Sequence, residues 1–329
     1  MDNKKQIPFS LAQKKLGKYI NPYEGSLRRS LFHFLLWQFG YYKDRKKTLP
    51  PPQNFTYPKP SHPIEEDKPQ VTWIGHSSFL IDVGVKILTD PVFSNCCAPV
   101  SFCGPKRRCK LPFKVGGLPA IDLVVLSHNH YDHLDEKGII KIAKNNPNCK
   151  WIVPSGLKKW FLKRNITDCL ELSWGDSALF SHDLKITSVP SQHFSGRGLL
   201  DKNKTLWSGY VIESKKLDKK IYFAGDTGYN PHDFKAIGEF WKGFDLSLLP
   251  IGSYLPRKFM RPVHVNPHEA VKIHEEVYSK KSIGMHWNSF CLSEEPMTRP
   301  PYDLFLEMQK KNLDFSLFFV LEPGETTNF

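Results

Sequence analysis

Leu123–Val124–Val125–Leu126–Ser127–His128–Asn129–His130–Tyr131–Asp132–His133–Leu134 is the stretch on which the reading of this chain turns. A short apolar run, the pattern of a buried strand, leads straight into a loop with three histidines and an aspartate within six positions. Imidazole and carboxylate at that density are the donor set of a divalent transition metal. His128 and His130 alternate, so an extended backbone points them to one side. Asp132 and His133 lie past the bend, so this one loop offers donors to two metals.

Outward from the loop, three more donors stand where an apolar run ends. His193 closes Ser188–Val189–Pro190–Ser191–Gln192–His193, Asp226 follows Ile221–Tyr222–Phe223–Ala224–Gly225, and His286 follows Ile283–Gly284–Met285. Alone, each would pass for a capping or satisfied polar residue. Their recurrence at strand ends, with the dense loop upstream, makes them one metal centre built on a rigid scaffold.

The rest of the pattern fits such a scaffold. Short β-rich runs at 71–74, 79–83, 86–89, 151–153, 184–189, 209–212, 246–249 and 317–321 alternate with helical patterns at 136–144, 156–163, 267–279 and 301–311. Asn230 and Asn266 read as N-caps before Pro231 and Pro267. Strands first in groups, then alternating with helices, predict an α/β fold of two sheets flanked by helices.

The chain has 329 residues and a net charge of +13, and residues 1–47 hold 11 Lys/Arg against 3 Asp/Glu. A basic arm on a nearly balanced body predicts an anionic partner. Within it, residues 31–42 (LFHFLLWQFGYY) are apolar or aromatic at nine of twelve positions, bracketed by Arg28, Arg29, Lys43, Arg45, Lys46 and Lys47. That run is too short to span a bilayer, which takes about 18–20 apolar residues. Seven prolines between Pro50 and Pro69 then exclude regular helix. The predicted organisation is a basic N-terminal segment with an apolar helix (1–49), a Pro-rich strap (50–70) and a catalytic domain (71–329). The seven cysteines are odd in number and the N-terminus shows no secretory signal, which predicts free thiols in the cytoplasm. Cys96, Cys97, Cys103 and Cys109 crowd together without the paired spacing of a zinc knuckle.

The motifs resemble those of the N-acyl-phosphatidylethanolamine-hydrolysing phospholipase D family, within the metallo-β-lactamase superfamily. They are Trp73–His76, Leu88–Ser94, Gly104–Arg107, Ser127–Asp135, Pro190–His193, Phe223–Tyr229, Pro250–Tyr254, His264–Pro267 and His286–Trp287. The similarity runs from about residue 20 onward. It implies a four-layer αββα sandwich and two zinc ions, one on His128, His130 and His193 and one on Asp132, His133 and His286, with Asp226 bridging. It further implies that Asp90 orients the histidine loop, that His76 stands just behind the ligands, and that the protein is a dimer. Asn288–Ser289 departs from the Gly-Thr expected after His286–Trp287.

The activity so implied is hydrolysis of N-acyl-phosphatidylethanolamine to N-acylethanolamine and phosphatidic acid, by hydroxide attack on phosphorus. Catalytic candidates are Asp132, Asp90 and His264, the last as proton donor to the departing alcohol or as phosphate ligand. Substrate-binding candidates are Arg197, Tyr254, Arg257 and Trp287. A soluble phosphodiesterase, a sugar-phosphate lactonase and a nucleic-acid processing enzyme share this core chemistry and remain alternatives. No RNA-binding module stands beside the core, and cations flanking an aromatic run suit a lipid surface, so the expected partners are a phospholipid and an anionic membrane, with peripheral association.

Overall fold

Along Leu123–Val125 the side chains at 123 and 125 join one apolar cluster and that at 124 joins another. This period of two puts the strand between two layers. The same parity holds for Ile87 against Leu88 and for Ile152 against Trp151 and Val153. The computed structural model describes residues 7–23, 36, 39–42, 48–60, 63–100, 104–198 and 200–329.

A hairpin, β1 (Gln13–Lys15) and β2 (Lys18–Ile20), precedes two sheets of seven strands each. The first sheet contains β3 (Gln70–Gly75), β4 (Ser78–Asp82), β5 (Lys86–Thr89), β6 (Leu123–Val125), β7 (Lys150–Pro154) and β8 (Cys169–Leu172). The second contains β9 (Ser177–Leu179), β10 (Leu184–Val189), β11 (Gly209–Ser214), β12 (Lys219–Phe223), β13 (Leu246–Pro250), β14 (Ser282–Met285) and β15 (Phe318–Phe319). The last strand, β16 (Thr326–Asn328), returns to the first sheet and pairs antiparallel with β3. Strands β5 to β8 run parallel, as do β12 to β15.

Val71, Trp73, Ile81 and Val125 of the first sheet share a core with Tyr210, Ile212, Ile221 and Leu248 of the second. Outside the first sheet, Val124 and Trp151 meet Ile139 and Ile142 of α1 (Glu136–Asn145) and Phe161 of α2 (Lys158–Leu162). Outside the second lie α3 (Asp233–Trp241), the short α4 (Arg257–Met260), α5 (Pro267–Glu276) and α6 (Arg299–Lys310). Phe234, Ile237, Val271, Ile273, Leu304 and Met308 turn inward from three of these. The result is the four-layer αββα sandwich. Asn266 caps α5 through a full capping box with Glu269. The expected cap at Asn230 is displaced: α3 starts at Asp233, and Asn230 Oδ1 accepts from the amides of His232 and Asp233 in the turn before it.

Residues 7–23 do not form a free arm. Phe9 stacks on Trp241 at 5.7 Å, and Tyr19 packs with Trp174, Leu206 and Trp207. The proline-rich segment lies against the second sheet, where Tyr57 donates to Phe318 O at 2.5 Å and Phe55 contacts Tyr302 and Phe305. Most of the apolar run 31–42, its six flanking cations and Cys103 fall outside the described residues. At its end, Tyr42 is buried against Phe259 and Met260 of α4. Among the described residues no helix is long and apolar enough to cross a membrane.

Candidate metal centre

The C-terminal ends of β3, β5 and β6 from one sheet and of β10, β12 and β14 from the other meet at one edge of the sandwich. Each ends within a few residues of a donor: His76, Asp90, His128, His193, Asp226 and His286. The seam is stitched by Ser208 N donating to Ser127 O (2.9 Å) and Tyr210 Oη donating to Leu126 O (2.9 Å). Gly225 is required there. Its φ is +60°, and a Cβ would lie 2.8 Å from Ser127 Cβ and 3.0 Å from Ser208 O. After His130 the chain bends, with His133 N and Leu134 N both donating to His130 O, which turns Asp132 and His133 to the far side of the loop.

His130 Nδ1 lies 2.8 Å from His128 Nε2 and 3.2 Å from His193 Nε2. Asp132 Oδ2 lies 3.0 Å from His76 Nε2, 3.5 Å from His133 Nε2 and 3.4 Å from His286 Nε2. Asp226 Oδ2 sits between the two sets, 3.9 and 3.7 Å from the His128 and His193 nitrogens and 3.2 and 3.1 Å from those of His133 and His286. Donors around one tetrahedral zinc are about 3.3 Å apart, so both sets have the spacing a cation requires. His133 Nε2, His286 Nε2 and Asp226 Oδ1 are buried without a well-formed hydrogen bond. Buried polar atoms are rarely left so. Lone pairs converging on shared points are what a pair of metal ions satisfies, and the residues present fit that group.

Electrostatics separate the two sets. Burial, reinforced by the neighbouring imidazoles, holds His128 well below the ordinary histidine value, and burial pushes His130 down to about 4, so both stay neutral and able to ligate. Burial also opposes charge on His133 and His286, but the surrounding carboxylates prevail, raising His133 well above the ordinary value and His286 to about 9. For Asp132 and Asp226 burial favours the acid, yet the same histidines hold both well below the usual carboxylate range. Asp132 and Asp226 therefore stay ionised beside His133 and His286.

Asp90 is fully buried and accepts from Ser127 N (2.6 Å), Ser127 Oγ (2.5 Å) and His133 Nδ1 (2.6 Å). The last bond turns His133 Nε2 toward the centre. His76 stands directly behind Asp132, with its Nε2 3.0 Å from Asp132 Oδ2. Its amide donates to the hydroxyl of Ser289 at 2.7 Å, which gives one of the residues that depart from the family pattern a task. His76, Asp90 and His286 all have positive φ (57°, 33° and 64°), backbone strain concentrated at the centre. His264 stands beside the donors, with Nδ1 4.0 Å from Asp226 Oδ2 and its side chain 12% exposed.

The four substrate-binding candidates take different places. Arg197 donates from Nη1 to Asn129 O (2.9 Å) and Leu134 O (2.8 Å), with its guanidinium 3.8 Å over the Tyr131 ring, so it clamps the histidine loop. Arg257 donates to His264 O at 3.0 Å and pairs with Glu269 at 2.7 Å, fixing the turn that carries His264. Tyr254 is buried with its hydroxyl 2.5 Å from Asp303, and Trp287 stacks on Trp73 at 5.2 Å beneath the centre. Arg197 and Arg257 thus hold segments that carry donors or His264, Trp287 follows His286 directly, and Tyr254 ties its loop to α6. Sequence reasoning missed Asn21, whose Nδ2 donates to His193 O at 2.7 Å.

The family model described as "Beta-lactamase superfamily domain" matches residues 85–287. The chain is 40% identical to N-acyl-phosphatidylethanolamine-hydrolyzing phospholipase D 1 of Caenorhabditis elegans, over 77% of this chain and 74% of that protein. It is 37% identical to N-acyl-phosphatidylethanolamine-hydrolyzing phospholipase D, mitochondrial, of Saccharomyces cerevisiae, over 70% of this chain and 49% of the relative, so it spans about half of that protein. Among solved structures, a metallo hydrolase of Ignicoccus hospitalis superposes with a TM-score of 0.60 at 24% identity, covering 80% of this chain and 98% of the other.

Proposed function

Because this metal-dependent hydrolase belongs to the β-lactamase superfamily, and within it to the N-acyl-phosphatidylethanolamine-hydrolysing phospholipase D family, we propose that it cleaves N-acyl-phosphatidylethanolamine to N-acylethanolamine and phosphatidic acid. The observation that carries the reading is the complete donor set at one edge of the sandwich, in a chain so similar to enzymes named for that reaction. Two zinc ions are the proposed cofactor. His128, His130 and His193 would hold one, Asp132, His133 and His286 the other, and Asp226 would serve both. When bound, such a pair supplies Lewis acidity and lowers the pKa of a shared water.

The protein's own residues prepare this chemistry. Asp90 holds His133 in one tautomer, and Asp132 takes on His76 and His286 as well. His264, partly open to solvent beside Asp226, is the candidate to protonate the departing ethanolamide alcohol. In the proposed hydrolysis, solvent oxygen bonds to phosphorus, the phosphorus–oxygen bond to the ethanolamide breaks, and that alcohol leaves with a proton. Hydrolysis in heavy-oxygen water checks this: mass spectrometry should find the label in phosphatidic acid and none in the N-acylethanolamine. Label in the alcohol product, or equal turnover of plain phosphatidylethanolamine, refutes the assignment.

The substrate sits in a bilayer, and the apolar run 31–42 with its six flanking cations is the proposed docking element on an anionic leaflet. Each cation near such a surface contributes about 1 kcal/mol. Reversing Arg28, Arg29, Lys43, Arg45, Lys46 and Lys47 to Glu should weaken flotation with anionic liposomes while sparing a soluble short-chain phosphodiester. Undiminished flotation removes the docking role.

A further inference from the structure

Outside the metal centre, α1 and residues 93–95 and 107–115 line an open cavity of about 650 Å³. That is within the roughly 300–1,000 Å³ of small-molecule sites. Its walls are Phe93, Leu111, Phe113 and Val115. Its floor has Ser94 and Asp135, which satisfy each other: Asp135 accepts from Ser94 N (2.8 Å), Ser94 Oγ (2.6 Å) and Phe93 N (3.0 Å). Little polar chemistry is left there for a sugar or a base.

The rim is different. Lys110, Lys114, Lys137 and Lys141 all line this cavity and are exposed, and none forms an ion pair among the described residues. Lys137 and Lys141 sit one turn apart on α1, and Arg107, held by Val92 O at 2.7 Å and over the Phe290 ring at 4.6 Å, adds a fifth cation. A volume of 650 Å³ is a sphere about 11 Å across, close to the Debye length of roughly 8–10 Å, so these charges act on one another and on any guest. Asp135 on the floor is engaged by three donors of Phe93 and Ser94, whereas the rim carries cations alone, and such a rim over a low-dielectric cleft concentrates anions.

We propose that this cavity is a binding site for a single-chain anionic amphiphile, its chain between Phe93, Phe113, Leu111 and Val115 and its carboxylate or phosphate at the lysine rim. The site is distinct from the metal centre, and the inference stands whichever substrate that centre takes. A second cavity of about 540 Å³ adjoins it, sharing Phe93, Ser94, Asn95, Asp135 and Lys137, and reaches Tyr131 beside His130. A guest in the first cavity therefore meets the end of the histidine loop at Asp135, while Tyr131 is reached only through the second.

The test uses the full chain and a dansyl-labelled undecanoate, titrated by fluorescence below its aggregation threshold. One probe per chain is expected, with its methyl ester and the doubly reversed K137E/K141E protein each at least tenfold weaker. Asp226→Ala should bind the probe like the parent. K110E/K114E repeats the charge test at the opposite rim. Equal affinity for the methyl ester, or unchanged binding in both doubly reversed proteins, overturns the proposal. Loss of binding in Asp226→Ala would move the probe to the metal centre and overturn it as well. So would lysine-dependent retention on phosphatidylglycerol vesicles without one-to-one binding of the free probe, which would make the rim a bilayer contact.

Discussion

Asp90→Asn tests whether the centre depends on a tautomer. Asp90 Oδ2 accepts two donors, Ser127 Oγ and His133 Nδ1, while Oδ1 takes Ser127 N. An amide cannot replace that carboxylate in either orientation. With its NH2 toward His133, it forces the imidazole to accept at Nδ1 and therefore to protonate Nε2, the atom that faces Asp226 at 3.2 Å. With its oxygen toward His133, the NH2 confronts Ser127 N, and a buried donor goes unpaired. Loss of a partner behind a ligating histidine typically weakens metal affinity 10–100-fold, about 1.4–2.7 kcal/mol. The unpaired donor costs about 1–3 kcal/mol of stability. For the proposed pair of zinc ions, competition with a chromophoric chelator should show one affinity falling by that factor and the other within threefold. If both affinities stay within twofold of the parent in a folded protein, Asp90 is not holding the tautomer.

Arg197→Ala should cost about 2–4 kcal/mol in urea denaturation, combining charge-assisted bonds to two loop carbonyls with the contact over Tyr131. Lys, lacking the planar fork, should recover less than half; a raised KM at unchanged stability would instead favour a phosphate contact. Gly225→Ala forces a methyl group against Ser127 at positive φ and should lower stability by about 2–4 kcal/mol, read as a fall in Tm, whereas an unchanged Tm would show that the seam yields. His274 is buried with Nδ1 2.8 Å from Ser282 Oγ, and burial lowers its pKa to about 4. The unfolded chain, with pKa near 6.5, then binds more protons between pH 6.5 and 4, so stability is lost as pH falls through that window, by about 2 kcal/mol from pH 7 to 5. His274→Gln should flatten that slope; an equal slope in both proteins excludes His274 as its source.

The donors were legible because the chemistry that needs them is dense: three histidines and an aspartate behind an apolar run have few other uses. The sheets were legible wherever both faces are buried, as at 86–89 and 184–189, whose bounds match β5 and β10. Cys169–Leu172 and Ser177–Leu179 escaped because these short strands are partly exposed and mix polar with apolar residues, leaving little periodicity. The hairpin at 13–20 was hidden by its lysines, although Leu16–Gly17, both at positive φ, form the tight two-residue turn that joins such strands. What holds the substrate-binding candidates in place was not legible, for a general reason. Sequence shows that Arg197 is a cation, but only the fold shows that it donates to carbonyl oxygens of the distant histidine loop. Asn21 and His193, 172 positions apart, left no local signal at all.

Neither sheet owns a complete donor set: His128 and His130 need His193, and Asp132 and His133 need His286, each from across the sandwich. A cation bound to either set is thus a rivet between the two halves, and its affinity enters the folding equilibrium. At a free concentration one hundred times Kd, each such rivet adds about 2.7 kcal/mol to the native state. Starved of metal, the cell would be left with a looser sandwich as well as an idle enzyme, so metal supply would govern how long the protein survives proteolysis.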